Sequence, residues 1–193
     1  MIDRVLEKLA RLWFSVRHAG RFQSVGAKSF VVTPFRADGA EGIQLGAGCL
    51  VQRGAWFYCV GIDGARAALS IGDGCVLGYN NHITAVRDVR IGDHVLTANN
   101  VYISDNVHGF EDPAVPVMHQ PVRFRKAVSI GSGSWLGENV CVIGANIGRN
   151  CVIGANAVVT HDIPDRCVAV GVPARVIRHY DEATRAWISG ARP

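Results

Sequence analysis

A six-residue period runs through most of this chain and restricts its fold more than any other feature. An Ile, Leu or Val is followed by Gly, and four places after the aliphatic residue comes a small or β-branched one. The unit recurs as Leu45-Gly46 with Cys49, Ile71-Gly72 with Cys75, Ile91-Gly92 with Val95, and Ile130-Gly131 with Ser134. Leu136-Gly137 with Val140, Ile147-Gly148 with Cys151 and Ile153-Gly154 with Ala157 continue it, and Leu77 and Thr97 are weaker copies. A period of six fits neither an amphipathic helix nor a two-sided sheet. It fits a short strand plus a corner, repeated around a triangular coil, in which each strand pairs with the coils above and below. The aliphatic residue then points into the prism, the glycine relieves crowding at the turn, and the small residue tucks against the corner. Cys49, Cys75 and Cys151 share that small-residue phase, so packing rather than redox or metal chemistry is expected of them. The six cysteines contain no C-x-x-C pair and lie far apart, which predicts reduced thiols.

The repeat fixes the expected boundaries. A parallel β-helix is predicted over 43–170, interrupted once after Ile103 by a proline-bearing loop over 104–129. Long loops on rigid scaffolds usually carry function. Ahead of the prism, Ile2, Val5, Leu6, Leu9, Leu12, Trp13 and Val16 follow helical spacing, which predicts a helix within 1–20 that docks on the body; contact with a membrane surface is the lesser alternative. A tail over 171–193 is expected to end the coil at Gly171-Val172-Pro173-Ala174-Arg175 and to carry a short helix near Glu182 to Ile188. At 193 residues the whole is read as a single domain, 1–193. An apolar fraction of 49% with only 19% charged residues excludes a disordered chain. The net charge of +4 is scattered without a basic run, so no nucleic-acid partner is expected. The N-terminal segment interleaves charges with apolar residues, unlike a signal peptide, and a cytoplasmic location is expected.

Of the seven histidines, His108 stands where the repeat breaks off into the loop. Imidazole titrates close to neutral pH and both accepts and returns a proton, which suits a general base. His94 occupies a corner and His82 ends a weak repeat, positions read as structural or solvated. His82, His94 and His108 lack the paired spacing of a zinc site, and no metal is expected.

Four stretches, Ile103-Ser104-Asp105-Asn106-Val107-His108-Gly109, Ser134-Trp135-Leu136-Gly137-Glu138-Asn139-Val140, Val152 to Thr160, and Gly171 to Arg178, resemble the hexapeptide-repeat acyltransferases. Within that family, Ile91 to Arg178 is most similar to galactoside and maltose O-acetyltransferases and to enzymes that acetylate bacterial polysaccharides. The resemblance implies a left-handed β-helix, a homotrimer with active sites between neighbouring prisms, and acetyl-CoA as co-substrate. It implies that His108 is the general base, that Gly137 and Glu138 bind the pantetheine arm or the oxyanion, and that Ala155 and Thr160 contact the pantetheine. Arg175 and Arg178 would meet the nucleotide phosphates together with a lysine that is here replaced by His161. Asn80 and Asn81 lie near an acceptor-binding asparagine of the family. Asp105 and Glu111 are candidates to orient the imidazole or contact a sugar, and Trp135 to wall the acetyl or sugar site. The leading expectation is acetyl transfer to a sugar hydroxyl by direct attack. N-acetylation of an amino sugar or antibiotic is the second, and a non-catalytic β-helix scaffold is the reading from another class.

Overall fold

The computed structural model describes residues 2–190, with side chains from Leu9 onward except that of residue 10. After the helix α1 (Ile2–Arg17) the chain winds as short strands, three to a coil. The first coil is β1 (Ser24–Val25), β2 (Phe30–Val31) and β3 (Arg36–Asp38); the second is β4 (Ile43–Leu45), β5 (Leu50–Val51) and β6 (Trp56–Cys59). The third is β7 (Ala68–Ile71), β8 (Val76–Leu77) and β9 (His82–Ala85); the fourth is β10 (Asp88–Ile91), β11 (Leu96–Thr97) and β12 (Tyr102–Ser104). Here β13 (Asn106–His108) and β14 (Val122–Phe124) leave the coil as an antiparallel hairpin. Winding resumes with β15 (Val128–Ile130), β16 (Trp135–Leu136) and β17 (Cys141–Ile143), then β18 (Val152–Ile153), β19 (Val158–Val159) and β20 (Cys167–Val170). The chain closes with β21 (Arg175–Asp181) and β22 (Ala186–Ser189).

Stacked coils give three sheets: β1-β4-β7-β10-β15; β2-β5-β8-β11-β16-β18-β20-β21-β22; and β3-β6-β9-β12-β17-β19. All pairings between coils are parallel and keep the repeat in phase, so that Leu45 lies on Ile71 and Ile71 on Ile91, then Ile91 on Ile130, with single bridges carrying the column to Ile147 and Ile163. These residues are buried, as are Leu77, Thr97, Leu136 and Ile153 of the second sheet and Phe57, Ile83, Ile103 and Val142 of the third. The core is therefore a stack of layers inside a β-helix, as the period predicts.

The small-residue phase does more than fill space. Ser29 and Ser134 donate to the carbonyls of Gly46 and Gly148 at 2.6 and 2.8 Å, and the thiols of Cys49 and Cys75 donate to those of Gly72 and Gly92 at 3.0 and 3.1 Å. Ser and Cys recur there because each is a small donor aimed at the corner of the next coil. None of the six cysteines forms a disulfide among the described residues, and burial pushes the Cys59 thiol up to about 11, which keeps it protonated and unreactive.

Three expectations need correction. The β-helix begins not at 43 but a full coil earlier, at Ser24. The sign was Val25-Gly26 with Ser29, and at Gly26 a Cβ would lie 2.4 Å from the Ala47 nitrogen, so only glycine allows the coils to stack there. The interruption is narrower than 104–129, since Ser104 and Val128-Ser129 belong to prism strands. Finally, the C-terminal helix expected near Glu182 to Ile188 is instead the ribbon of β21 and β22, with β21 antiparallel to β20. The last coil leaves a row of unpaired backbone groups along the second sheet, and a strand, unlike a helix, satisfies them. The turn is closed by Asp181, which accepts from the Thr184 N–H at 2.8 Å.

The helix foreseen within 1–20 is α1. Ile2, Val5 and Leu6 lie outside the described side chains. Phe14 is fully buried and packs against Phe22 and Phe35 at centroid distances of 5.9 and 6.0 Å, while Leu9, Leu12, Trp13 and Val16 remain exposed. Among the described residues, no helix is long and apolar enough to cross a membrane.

Candidate active site

Where the fourth coil ends, the fold needs a device to let the chain leave and return. Asp105 supplies it: fully buried, its carboxylate accepts from the N–H groups of Val86, Arg87 and Asp88 at 2.9, 2.8 and 3.0 Å, and its carbonyl accepts from the Arg125 N–H at 2.8 Å. Asp105 thus fixes the corner of the preceding coil and the base of the hairpin. It is neither an exposed carboxylate nor an orienter of the imidazole, which corrects the expectation. Asn106 extends the network, donating to Asp105 at 2.9 Å and to the Thr84 hydroxyl at 2.8 Å.

From this anchored base β13 carries His108, which pairs with Val122 across the hairpin and is exposed. Among the described residues no side chain hydrogen-bonds to the His108 imidazole. Glu111 does not reach it; its carboxylate accepts from the Phe110 N–H and bridges Arg123 at 3.2 Å, which braces the hairpin.

His108 opens onto a cavity of about 300 Å³ between the hairpin and the outer face of the third sheet. Strand register stacks Trp56, His82 and Tyr102 on successive coils of that face. The Trp56 and His82 rings lie parallel with centroids 4.2 Å apart, and Tyr102 follows at 5.1 Å. Trp56 is held from the far side, its indole N–H donating to Asp38 at 2.8 Å while the Arg36 guanidinium lies 4.9 Å from its ring. Burial holds the His82 imidazole below its ordinary pKa, so it is neutral at pH 7, and it has no hydrogen-bond partner among the described residues. Tyr58, Thr84, Asn106 and Val107 complete the working part of the wall, and among the described residues the lining holds no carboxylate, lysine or arginine. His82 was read from the sequence as structural or solvated, and Trp56 and Tyr102 were not singled out. The signal was present in the period, which puts all three at one phase of consecutive coils.

Several expected acceptor residues lie elsewhere. Asn81 is buried inside the prism, donating to the carbonyls of Gly78 and Ala98 at 2.7 and 3.0 Å and accepting from Thr97 at 2.9 Å, so it is a core residue. Asn80 takes the left-handed corner conformation, with φ of 56°, and donates to Asn100 at 3.3 Å. Trp135 points out from the second sheet, between Leu96 and Val152, and does not line the His108 cavity.

The other expected group gathers toward the last coils. Down the corner between the second and third sheets, the Tyr79 N–H is capped by the Asn99 side chain at 2.9 Å and the Asn99 N–H by the Glu138 carboxylate at 3.1 Å. Below Glu138 the stacked residue is Ala155, which offers no acceptor. The N–H groups of Glu138 and Ala155 accordingly have no hydrogen-bond partner among the described residues, and Gly137 leaves the corner open: a Cβ there would lie 2.8 Å from the Ala155 nitrogen. Thr160 follows β19, its hydroxyl 3.0 Å from His161 Nδ1. His161 and Arg175 line one cleft of about 330 Å³, with Ile163, Ala174 and Val176. Arg178 is exposed further along β21. Lys126, on the return leg of the hairpin, bridges Asp162 at 2.7 Å and so ties the hairpin to the wall of this cleft. A larger groove of about 580 Å³ beneath α1 is lined by Leu12, Trp13, Val16 and Val31, with no titratable group among the described residues.

Comparison with known proteins follows this geometry. Residues 68–105 and 127–161 match the family model described as the hexapeptide repeat of succinyl-transferase. The chain is 34% identical over 174 residues to a protein of Mycobacterium tuberculosis described as a probable acetyltransferase, covering 86% of this chain and 58% of that one. It is 41% identical over 110 residues to the galactoside O-acetyltransferase of Escherichia coli, covering 53% of this chain and 51% of that enzyme. The chain thus spans between half and two thirds of the length of these curated relatives. Among solved structures, the N-acyltransferase AntD of Bacillus cereus, in complex with dTDP and 3-hydroxybutyryl-CoA, superimposes with a TM-score of 0.70 at 16% identity, over 94% of this chain and 90% of that one.

Proposed function

From the hexapeptide repeat and the acetyltransferases this chain is similar to, we propose that it is a hexapeptide-repeat acyltransferase, an acetyl-CoA-dependent O-acetyltransferase acting on a saccharide hydroxyl with His108 as general base. The observation that carries the reading is the order of features along one face. The third sheet runs from the Trp56–His82–Tyr102 wall, past the strand that launches His108, to β19 and the cleft of His161 and Arg175. An acceptor bound at one end and a CoA bound at the other would meet beside His108. The prism winds left-handed in this reading, and the working assembly is a homotrimer.

The residues fit a bound CoA. Uncapped N–H groups at Glu138 and Ala155 suit the carbonyls of a pantetheine arm or the oxyanion of the acyl group. His161, Arg175 and Arg178 supply the donors expected near phosphates, with imidazole in the place of an ammonium. Acetyl-CoA would bring an already activated acyl group and a thiolate leaving group. What remains for the chain is to orient the acceptor and remove its proton as it attacks, which one imidazole does by direct transfer without a cysteine intermediate. His108 also returns the proton to the departing sulfur, so the base is regenerated in each cycle.

The test is His108→Ala, assayed by thiol release from acetyl-CoA against a panel of saccharides. Transfer should fall by roughly two to four orders of magnitude, with the melting temperature unchanged, because His108 is exposed and makes no side-chain hydrogen bond. Turnover at the parent rate would remove His108 from the mechanism.

A further inference from the structure

We infer that the Trp56–His82–Tyr102 ladder is the acceptor-binding wall of the site and that it selects a neutral sugar unit, with His82 hydrogen-bonding a hydroxyl of the acceptor. The inference rests on the proposed reading for the reaction itself but adds the binding residues and the charge class of the acceptor. Three observations carry it.

The first is the state of His82. A half-buried imidazole with no hydrogen-bond partner among the described residues lines a cavity that also holds His108. Its ring nitrogens are not sealed from the cavity, so without a partner among the described residues they are open to hydrogen-bond a molecule bound there. Neutral imidazole offers one donor and one acceptor, which matches a sugar hydroxyl.

The second is rigidity. His82 is clamped between Trp56 and Tyr102, and Trp56 is fixed in turn by Asp38 and Arg36. The ladder is thus preorganised on strands rather than on a loop, and its ring edges present an apolar wall beside two polar points, His82 and the Tyr102 hydroxyl.

The third is charge. Among the described residues the cavity lining contains two imidazoles and no carboxylate; Asp105 spends its oxygens on the backbone of Val86, Arg87 and Asp88, and Asp38 is bonded to Arg36 and the Trp56 indole. An ammonium group would find no counter-ion, and a phosphate would find no lysine or arginine. A volume of about 300 Å³ is at the small end for ligand cavities, which suits one sugar ring with its neighbours left in solvent.

The experiment uses saturation-transfer NMR on the parent protein with the methyl glycosides of neutral hexoses and 6-deoxyhexoses and with the matching amino sugars, followed by acetylation kinetics on those that bind. His82→Phe keeps a ring stacked on Trp56 but removes both nitrogens. The expected result is binding of neutral glycosides over amino sugars, weakened about tenfold by His82→Phe, the loss of one neutral hydrogen bond. In kinetics the same variant should raise the acceptor KM while leaving the KM for acetyl-CoA within twofold. Preference for amino sugars, absence of binding by every glycoside, or an unchanged acceptor KM in His82→Phe would overturn the wall. A collapse of kcat in His82→Phe with normal glycoside binding would also overturn it, by making His82 the base. Glycosides that bind through His82 yet accept no acetyl group would instead uphold the wall and remove the proposed reaction.

Discussion

The N–H groups of Val86, Arg87 and Asp88 all end on one buried carboxylate, that of Asp105. Hydrogen bonds to a charged acceptor are stronger than neutral ones, and removing the acceptor strands several buried donors at once. Asp105→Ala should therefore lower unfolding stability by roughly 3 kcal/mol, read as a drop in the urea midpoint, and should loosen the hairpin that carries His108. A midpoint equal to that of the parent would show the corner to be held by other contacts. The point at which the chain leaves the prism, at His108, was legible in the sequence because the repeat breaks there. Asp105 was legible as a residue but not as a role, since its partners come from the previous coil and no local pattern announces them. Asn81 was misread for a related reason: the period places it at an inward phase, where an amide is rare, and only the three hydrogen bonds it makes inside the prism account for it.

Among the elements, the strands of the prism were predictable because each repeat dictates its own burial, whereas α1 and the closing ribbon depend on what they cover. The ribbon forms because an open sheet edge needs covering, and a helical reading of Glu182 to Ile188 considers only the segment itself. Helix α1 is tied down through an aromatic cluster in which His18 lies 4.7 Å from Trp13 and 5.1 Å from Phe35, with both ring nitrogens buried and unpaired. Burial lowers the His18 pKa from its ordinary 6.5, and the neighbouring Arg21 and Arg17 charges lower it further. The neutral form is thus favoured when α1 is docked. Its contribution is complete above about pH 6.5, the value of the free imidazole, and is lost as pH falls through the lower folded value. Amide hydrogen exchange of α1 should accelerate in mildly acidic buffer relative to neutral buffer while the prism strands stay protected. His18→Leu should abolish the difference, and equal protection of α1 at both pH values would rule the device out.

Across the whole molecule, the outer faces of the prism differ in chemistry. The outward column of the first sheet reads Gln44, Ser70, Arg90 and Ser129, all polar. The corresponding column of the second sheet reads Val76, Leu96, Trp135 and Val152, with Leu96 and Trp135 46% and 47% exposed. A continuous apolar stripe on a rigid surface is unfavourable in water and marks an interface. The third sheet is occupied by the candidate site. In the proposed homotrimer of parallel prisms, this stripe is the surface that neighbouring chains would cover. The sequence could place Trp135 beside the loop in order but not on a different face from it, because the side of the triangle depends on counting corners across the interruption. Leu96→Arg puts a charge in the middle of the stripe without touching the core. Sedimentation should find the parent chain as a trimer and the variant as smaller species with unchanged circular dichroism, and acetyl transfer should fall with the loss of assembly. A parent chain that sediments as a monomer at micromolar concentration would eliminate the shared site; a variant that stays trimeric would move the interface to another face.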